Sequence, residues 1–499
     1  MNRADIQSAP LYEMLMKHAS KESVSFHVPG HKQRTMYMGN EESSLGAGCW
    51  LNIDVTELSD TDDLHDPTGA IAEAQELAAQ CFGAEETRFL VGGSTAGNLA
   101  MILGICEPGE ILLVQRNVHK SIIHGLALAG ARCVFLAPEA DERSGIPVAP
   151  SVETVTHALE RYPTARALIL CSPNYYGMTA DLPRLVDAAH ARKVPVLVDE
   201  AHGAHFGLHP DIPGSALQAG ADVVVQSTHK MLASLTMSAM LHIQGELAPR
   251  PEIRQALRMV QSSSPSYPLL ASLDLARREV QTQGPALFEQ ALSAAHLIRE
   301  ALTDLPLAAL NVQDPLKLSI REATGRMTGF ELQAKLEERG CLAEMADINY
   351  TVLALGSGTR IADAAVCIDA LSDIARELKE AIDIKAADAS SPNRDQTNAT
   401  LREPSAKRSP VGSTRLSDPV VIRRRTSSTT AIPLREAAGH ICGEWIIPYP
   451  PGIPLLYPGE PVSAVVVEEL RRLAAAGARF QGATDETLST IQVLTRGDD

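Results

Sequence analysis

Six short apolar runs, each separated from the next by a stretch with helical spacing, set the strongest limit on how this chain can fold. They fall at 88–91, 111–115, 133–136, 167–171, 194–198 and 223–225, with helical segments such as 95–105, 121–129 and 182–191 between them. Runs rich in Val, Ile and Leu that are joined through helices belong to strands buried on both faces. The expected architecture is therefore α/β, a mostly parallel central sheet with helices on both faces. Ligands bind such sheets beyond the carboxyl ends of the strands, so the residues that follow each run are the first place to look for chemistry.

Two of these ends carry complementary groups. The run at 194–198 stops at Asp199 and continues Glu-Ala-His202, and the run at 223–225 leads through Gln226 to Ser227, His229 and Lys230. A lysine and an aspartate at neighbouring strand ends are what pyridoxal phosphate requires. The amine forms a Schiff base with the cofactor, and the carboxylate keeps the pyridine nitrogen protonated so that the ring accepts electrons. A third element is the loop Val91-Gly-Gly-Ser-Thr-Ala-Gly-Asn98, between a run and an apolar helix, where Ser94, Thr95 and the following amides can grip a phosphate. It lacks the Gly-Lys-Ser/Thr of a nucleotide P-loop and the G-x-G-x-x-G of a dinucleotide fold. Ser227 is a second phosphate candidate. His119, just past the run at 111–115, is placed to lie against the pyridine ring or else to cap a helix. His202 and His229 are candidates for hydrogen bonding the cofactor or moving protons beside Lys230, with a turn-forming role as the alternative for His202. The lysine–aspartate pair supports this cofactor far more than any one bond cleavage, because the bond that breaks is set by geometry in the substrate pocket.

Length and charge bound the rest. A chain of 499 residues has room for two or three domains. We expect an N-terminal arm at 1–69, a cofactor-binding large domain at 70–307, a small α/β region at 308–385, a Ser/Pro-rich linker or loop at 386–430, and a C-terminal domain at 431–499 with an amphipathic helix over 462–475. With 61 acidic and 44 basic side chains the net charge is -17, which argues against a nucleic-acid partner. The eight cysteines, at 49, 81, 106, 133, 171, 341, 367 and 442, form no C-x-x-C pair, and no metal site or disulfide framework is expected. The N-terminus has no apolar leader and no run is long enough to cross a bilayer, so the expected location is the cytoplasm.

Beyond these features, the sequence resembles the Orn/Lys/Arg decarboxylases of pyridoxal-phosphate fold type I, particularly the short bacterial biosynthetic arginine decarboxylases. The resemblance covers nearly the whole chain. Its blocks include Phe26-His-Val-Pro-Gly-His-Lys32, Asp63-Leu-His-Asp-Pro-Thr-Gly69, Arg116-Asn-Val-His-Lys-Ser121, Ser263-Ser-Pro-Ser-Tyr267, Ala343-Glu-Met-Ala-Asp347 and Pro448-Tyr-Pro-Pro-Gly-Ile-Pro454. It implies Lys230 as the Schiff-base lysine, Asp199 as the pyridinium partner, His119 stacked on the ring, and Ser94, Thr95 and Ser227 on the phosphate. It also implies a homodimer or higher homo-oligomer in which Ser263 reaches the phosphate of the other subunit. The implied reaction removes the α-carboxylate of a basic amino acid, with L-arginine to agmatine first and L-lysine or L-ornithine next. Transamination and a non-catalytic cofactor-binding protein are the competing expectations. Glu344, Asp347 and Glu444 are the acidic candidates for the distal cationic group of the substrate. One departure is Pro433-Leu-Arg-Glu-Ala437, where relatives carry a Ser-Pro-Arg-Glu-Ala type of segment, behind an unusually long Ser/Pro-rich stretch that includes Arg423-Arg-Arg425.

Overall fold

The computed structural model describes residues 7–21, 23–33, 50–389, 415–422, 424, 428–450 and 452–495. Most of the 386–430 segment, Arg423 and Arg425 among it, lies outside the described residues.

Strands β1 (Glu86–Leu90), β2 (Ile111–Gln115), β3 (Arg132–Leu136), β4 (Ala167–Cys171), β5 (Val196–Asp199), β6 (Val223–Gln226) and β7 (Ala239–Ile243) form the central sheet. Their order is β1-β7-β6-β5-β4-β2-β3. The block β6-β5-β4-β2-β3 is parallel throughout. β7 is antiparallel to both β6 and β1. Sequence reading did not separate β7 as a strand, because His242 interrupts its apolar run. In the sheet that histidine is buried and hydrogen-bonds to Thr87 at 2.8 Å and Gln226 at 3.2 Å.

Successive strand residues point to opposite faces, and both faces are covered. Leu113, Val134, Leu168, Val196, Val198 and Val224 join one core, while Leu112, Val114, Ile169, Leu197, Val223 and Val225 join the other. Burying a Val or Leu side chain contributes roughly 1.5–3 kcal/mol, so the continuous aliphatic character of these strands is required on two sides at once. The helix Gly93–Ile105 on the second face packs closely against its neighbours. A Cβ at Gly104 would lie 2.6 Å from the Ile253 Cα.

The small region is a four-stranded antiparallel sheet of order β10-β11-β9-β8, made of β8 (Leu307–Ala309), β9 (Lys317–Glu322), β10 (Met345–Ala346) and β11 (Thr351–Ala354). Helices Glu289–Leu302, Gly329–Glu337 and Ile361–Ala389 belong to this part of the chain. Thr328 and Glu331 close a reciprocal capping box at the start of the second.

Within the segment expected as a Ser/Pro-rich linker or loop at 386–430, the described residues 415–422 pack against the sheet edge. β12 (Val420–Val421) pairs with β3 at the sheet edge, Ser417 Oγ accepts from the Phe135 amide at 2.8 Å, and Ile422 is buried. The segment supplies hydrogen bonds that an exposed edge strand would otherwise lack.

β13 (Thr429–Pro433) then pairs with β16 (Thr490–Leu494), and β14 (Ile447–Pro448) with β15 (Phe480–Gln481), around a separate apolar cluster. The helix expected over 462–475 starts at Ala464, because the Ser463 side chain accepts from the Val466 amide and caps it. This C-terminal unit is clamped to the end of β2. Arg116 donates to both carboxylate oxygens of Glu460 at 2.9 Å and to the carbonyls of Pro454 and Leu455.

Candidate active site

Four strand ends deliver the side chains. β5 ends in Asp199, in register with Cys171 of β4 and Val225 of β6. β6 runs into Ser227 and a single helical turn carrying His229 and Lys230. His119 follows β2 as the N-cap of helix Lys120–Ala129, and Ser94 and Thr95 follow β1 in the first turn of Gly93–Ile105. Because β1 and β6 are both antiparallel to β7, β1, β2, β5 and β6 all point the same way. Their carboxyl ends share one edge of the sheet.

Asp199 is buried, and burial raises its carboxyl above the ordinary carboxylate value against the opposing pull of Lys230 and of a hydrogen bond. That bond comes from Asn98, whose side-chain amide donates to Asp199 Oδ2 and to Ser121 Oγ, each at 2.9 Å. Ser121 Oγ lies 2.8 Å from His119 Nδ1, which also accepts from the Ser121 backbone amide at 3.3 Å. Nδ1 is thereby an acceptor and the ring proton sits on Nε2. Burial first, and the charge of Lys230 second, lower His119 to about 3, so its ring is neutral. Asn98 lies one helical turn beyond Ser94 on the same face, so the helix that presents the hydroxyls also fixes the carboxylate.

Lys230 Nζ lies 2.9 Å from His202 Nε2. Burial lowers the proton affinity of this amine, with Asp199 and Glu344 opposing. The far nitrogen of the same imidazole, Nδ1, lies 3.5 Å from Lys317 Nζ. The His202 ring rests against Tyr175 with centroids 4.4 Å apart, and Lys230 Nζ is 5.8 Å from the Tyr175 centroid. His229 Nδ1 donates to the Ser238 carbonyl at 2.9 Å, which fixes its tautomer and leaves a lone pair on Nε2. The C-terminal unit closes the His119 side. Gly452, at φ +87°, is so near that a Cβ there would lie 3.4 Å from His119 Nε2.

This donor set fits pyridoxal phosphate. Ser227 Oγ is buried and has no hydrogen-bond partner among the described residues, an arrangement that costs roughly 1–3 kcal/mol unless an acceptor such as a phosphate oxygen meets it. Ser94 is half-buried and Thr95 exposed at the neighbouring helix start.

Three other expected residues stand elsewhere. Asp347 is engaged by protein partners: Oδ1 accepts from the Asn349 and Tyr350 amides at 2.6 and 2.7 Å, and Oδ2 accepts from the Tyr176 hydroxyl. The two oxygens of Glu444 accept from the Thr484 and Gln492 amides, both at 2.7 Å, inside the C-terminal unit. Ser263 is exposed. Of the three acidic candidates, Glu344 is the one whose charge acts on Lys230 and His229. Sequence reading missed Asn98, Tyr175, Lys317 and Gly452. An amide inside an otherwise apolar helix was the available signal for Asn98, whereas Lys317, the first residue of the mixed strand Lys-Leu-Ser-Ile-Arg-Glu, offered none.

A family model described as Orn/Lys/Arg decarboxylase, major domain, matches residues 9–319, and the corresponding C-terminal domain matches residues 419–495. The chain belongs to the Orn/Lys/Arg decarboxylase family. Among its relatives is a Bacillus subtilis protein named uncharacterized protein YaaO, 42% identical over 95% of this chain and 96% of that one. A second B. subtilis family member, named arginine decarboxylase, is 36% identical over 97% of each chain. The solved structure of lysine decarboxylase A from Pseudomonas aeruginosa shares the fold with a TM-score of 0.77 at 20% identity, covering 99% of this chain and 81% of that one. The α/β class with a mostly parallel sheet and a smaller C-terminal domain is therefore that of the family's solved structures. Among the described residues no helix is long and apolar enough to cross a membrane.

Proposed function

We propose that this chain is a pyridoxal-phosphate-dependent decarboxylase of basic amino acids, with L-arginine to agmatine and carbon dioxide as its reaction. The observation that carries the reading is the shared edge of strand ends where Lys230 and the Asn98-anchored Asp199 act on each other's charge. The 36% identical arginine decarboxylase supports the choice of substrate.

When bound, the cofactor supplies an electron sink for the pair left on Cα as the carboxylate departs. Lys230 would hold it covalently, and burial makes the unprotonated amine available for that bond. Asp199 would keep the ring nitrogen protonated, steadied by Asn98. His119, neutral and walled by Gly452, would support the ring without adding charge. Ser94, Thr95 and Ser227 would bind the phosphate. His202 Nε2 and the free Nε2 of His229 are positioned to hold or pass a proton beside Lys230. Glu344 is the acidic group proposed for the distal guanidinium. We assign the enzyme to a homodimer or larger assembly, in which the exposed Ser263 would serve the neighbouring subunit, and to the cytoplasm.

The test is product identification after incubating the purified, cofactor-loaded protein separately with arginine, lysine and ornithine. Agmatine with carbon dioxide is expected from arginine. Cadaverine or putrescine as the main product would reassign the substrate, and a keto acid without carbon dioxide would replace decarboxylation by transamination.

A further inference from the structure

We propose that Lys317 is a positioning residue for this reaction, its ammonium engaging His202 Nδ1 so that the imidazole proton stays on Nε2, directed at Lys230 Nζ. The inference rests on the reading of Lys230 as the cofactor lysine.

Lys317 opens β9 in the small region and is 1% exposed. Its stem runs past Gly177, whose φ is +93° and where a Cβ would lie 2.7 Å from Lys317 Cβ. The backbone there leaves room for this side chain and for no other bulk. Among the described residues the hydrogen-bond partner of Nζ is His202 Nδ1, at 3.5 Å, and the opposite nitrogen of that ring lies 2.9 Å from Lys230 Nζ. One imidazole thus separates the half-buried amine of Lys230 from the buried amine of Lys317, one from each part of the fold.

A neutral imidazole has one lone pair and one N–H. An ammonium needs the lone pair, whereas an unprotonated amine can accept the N–H. The two lysines therefore cannot both be charged and both be satisfied by His202. Local charge decides which one keeps its proton. Asp314, the turn residue whose carbonyl accepts from the Lys317 amide, bonds through Oδ1 to His205 Nε2 at 3.0 Å, and its Oδ2 has no hydrogen-bond partner among the described residues. This anion sits on the Lys317 side. The carboxylate on the Lys230 side, Asp199, is assigned above to the cofactor's ring nitrogen. Around the triad, Asp199, His119 and Cys171 act from the large-domain sheet, and Asp314, His205 and Glu344 act from the remaining sides. Burial lowers the proton affinity of both amines, with Asp314 and Glu344 opposing it at Lys317 and Asp199 and Glu344 opposing it at Lys230. A positive charge kept beyond His202 would disfavour a second one on Lys230 and leave that amine nucleophilic.

The experiment is a pH titration of the visible absorption band of the cofactor-loaded protein, comparing wild type, Lys317→Met and Lys317→Arg. With the neighbouring charge removed, the methionine variant should move the midpoint upward by about one pH unit, and arginine should return it toward wild type. A methionine variant with the wild-type midpoint overturns the proposal. If that variant does not fold, wild-type protein labelled with 15N-histidine answers instead, with the His202 signals assigned by their loss in His202→Asn. A bare Nδ1 and a protonated Nε2 support the inference, and the opposite tautomer overturns it. Lys230→Ala runs alongside: if it keeps the visible band, the cofactor-lysine reading and this inference fall together. If it loses the band while Lys317→Met leaves the midpoint unmoved, the inference alone falls.

Discussion

Asn98 donates to Asp199 Oδ2 at 2.9 Å and, through its second amide hydrogen, to Ser121 Oγ, which in turn lies 2.8 Å from His119 Nδ1. One helix residue therefore joins the acidic end of the pocket to its histidine wall. Removing it leaves the Asp199 carboxylate with a weaker hold on its charge.

Asn98→Leu should lower the affinity of the apoprotein for pyridoxal phosphate by roughly 10- to 100-fold, the equivalent of one lost hydrogen bond to a charged group. Fluorescence titration of the apoprotein with cofactor measures this. Unchanged affinity would mean that Asp199 is anchored by other contacts.

Gly452→Val should impair turnover more than folding. The residue sits at φ +87° against His119. A side chain there carries roughly 1–2 kcal/mol of backbone strain and presses on the imidazole. The expected result is a drop in kcat/KM of at least about tenfold with a modest fall in Tm. A variant with wild-type kinetics would remove His119 from the pocket wall.

Arg116→Met should loosen the C-terminal unit. It leaves Glu460 inside the contact without its cation, and burial already pushes that carboxyl above its ordinary value while Arg116 opposes the shift. Breaking one half of a buried pair costs about 3–5 kcal/mol. Urea unfolding should show that loss, and Arg116→Met combined with Glu460→Leu should recover part of it. Simple additivity of the two substitutions would argue against a coupled pair.

Acid should destabilise the protein in a defined window through His242. Burial alone lowers this imidazole from 6.5 to about 3, so the unfolded chain takes up the proton first. Its contribution to stability is complete above the unfolded value and is lost as pH falls toward the folded one. The slope for this proton is about 1.4 kcal/mol per pH unit. Thermal melts from pH 6.5 down to 4 should fall more steeply for wild type than for His242→Gln. Parallel curves would show that His242 takes a proton while the chain is folded.

What could be read from the sequence follows from how visible each physical requirement is. Lys230 and Asp199 stand out because a charged side chain ending an aliphatic run is conspicuous, and the parallel sheet follows from strands that are apolar on both faces. Asn98 and Lys317 were hidden for the opposite reason. Asn98 sits inside an apolar helix and Lys317 opens a mixed strand, and in neither place does spacing alone distinguish a buried side chain with a precise partner from a solvated one. The engagement of Asp347 and Glu444 was not legible, because a carboxylate that holds backbone amides has the same composition as one that awaits a ligand. Their backbone partners appear only in three dimensions.

The position of Gly452 beside His119 has a consequence for biogenesis. During translation the lysine and aspartate emerge more than two hundred residues before the loop that walls the pocket. The nascent enzyme would pass through a stage with its chemistry assembled but one flank open to water. Cofactor arriving before that last flank has docked would meet a site open on its His119 side.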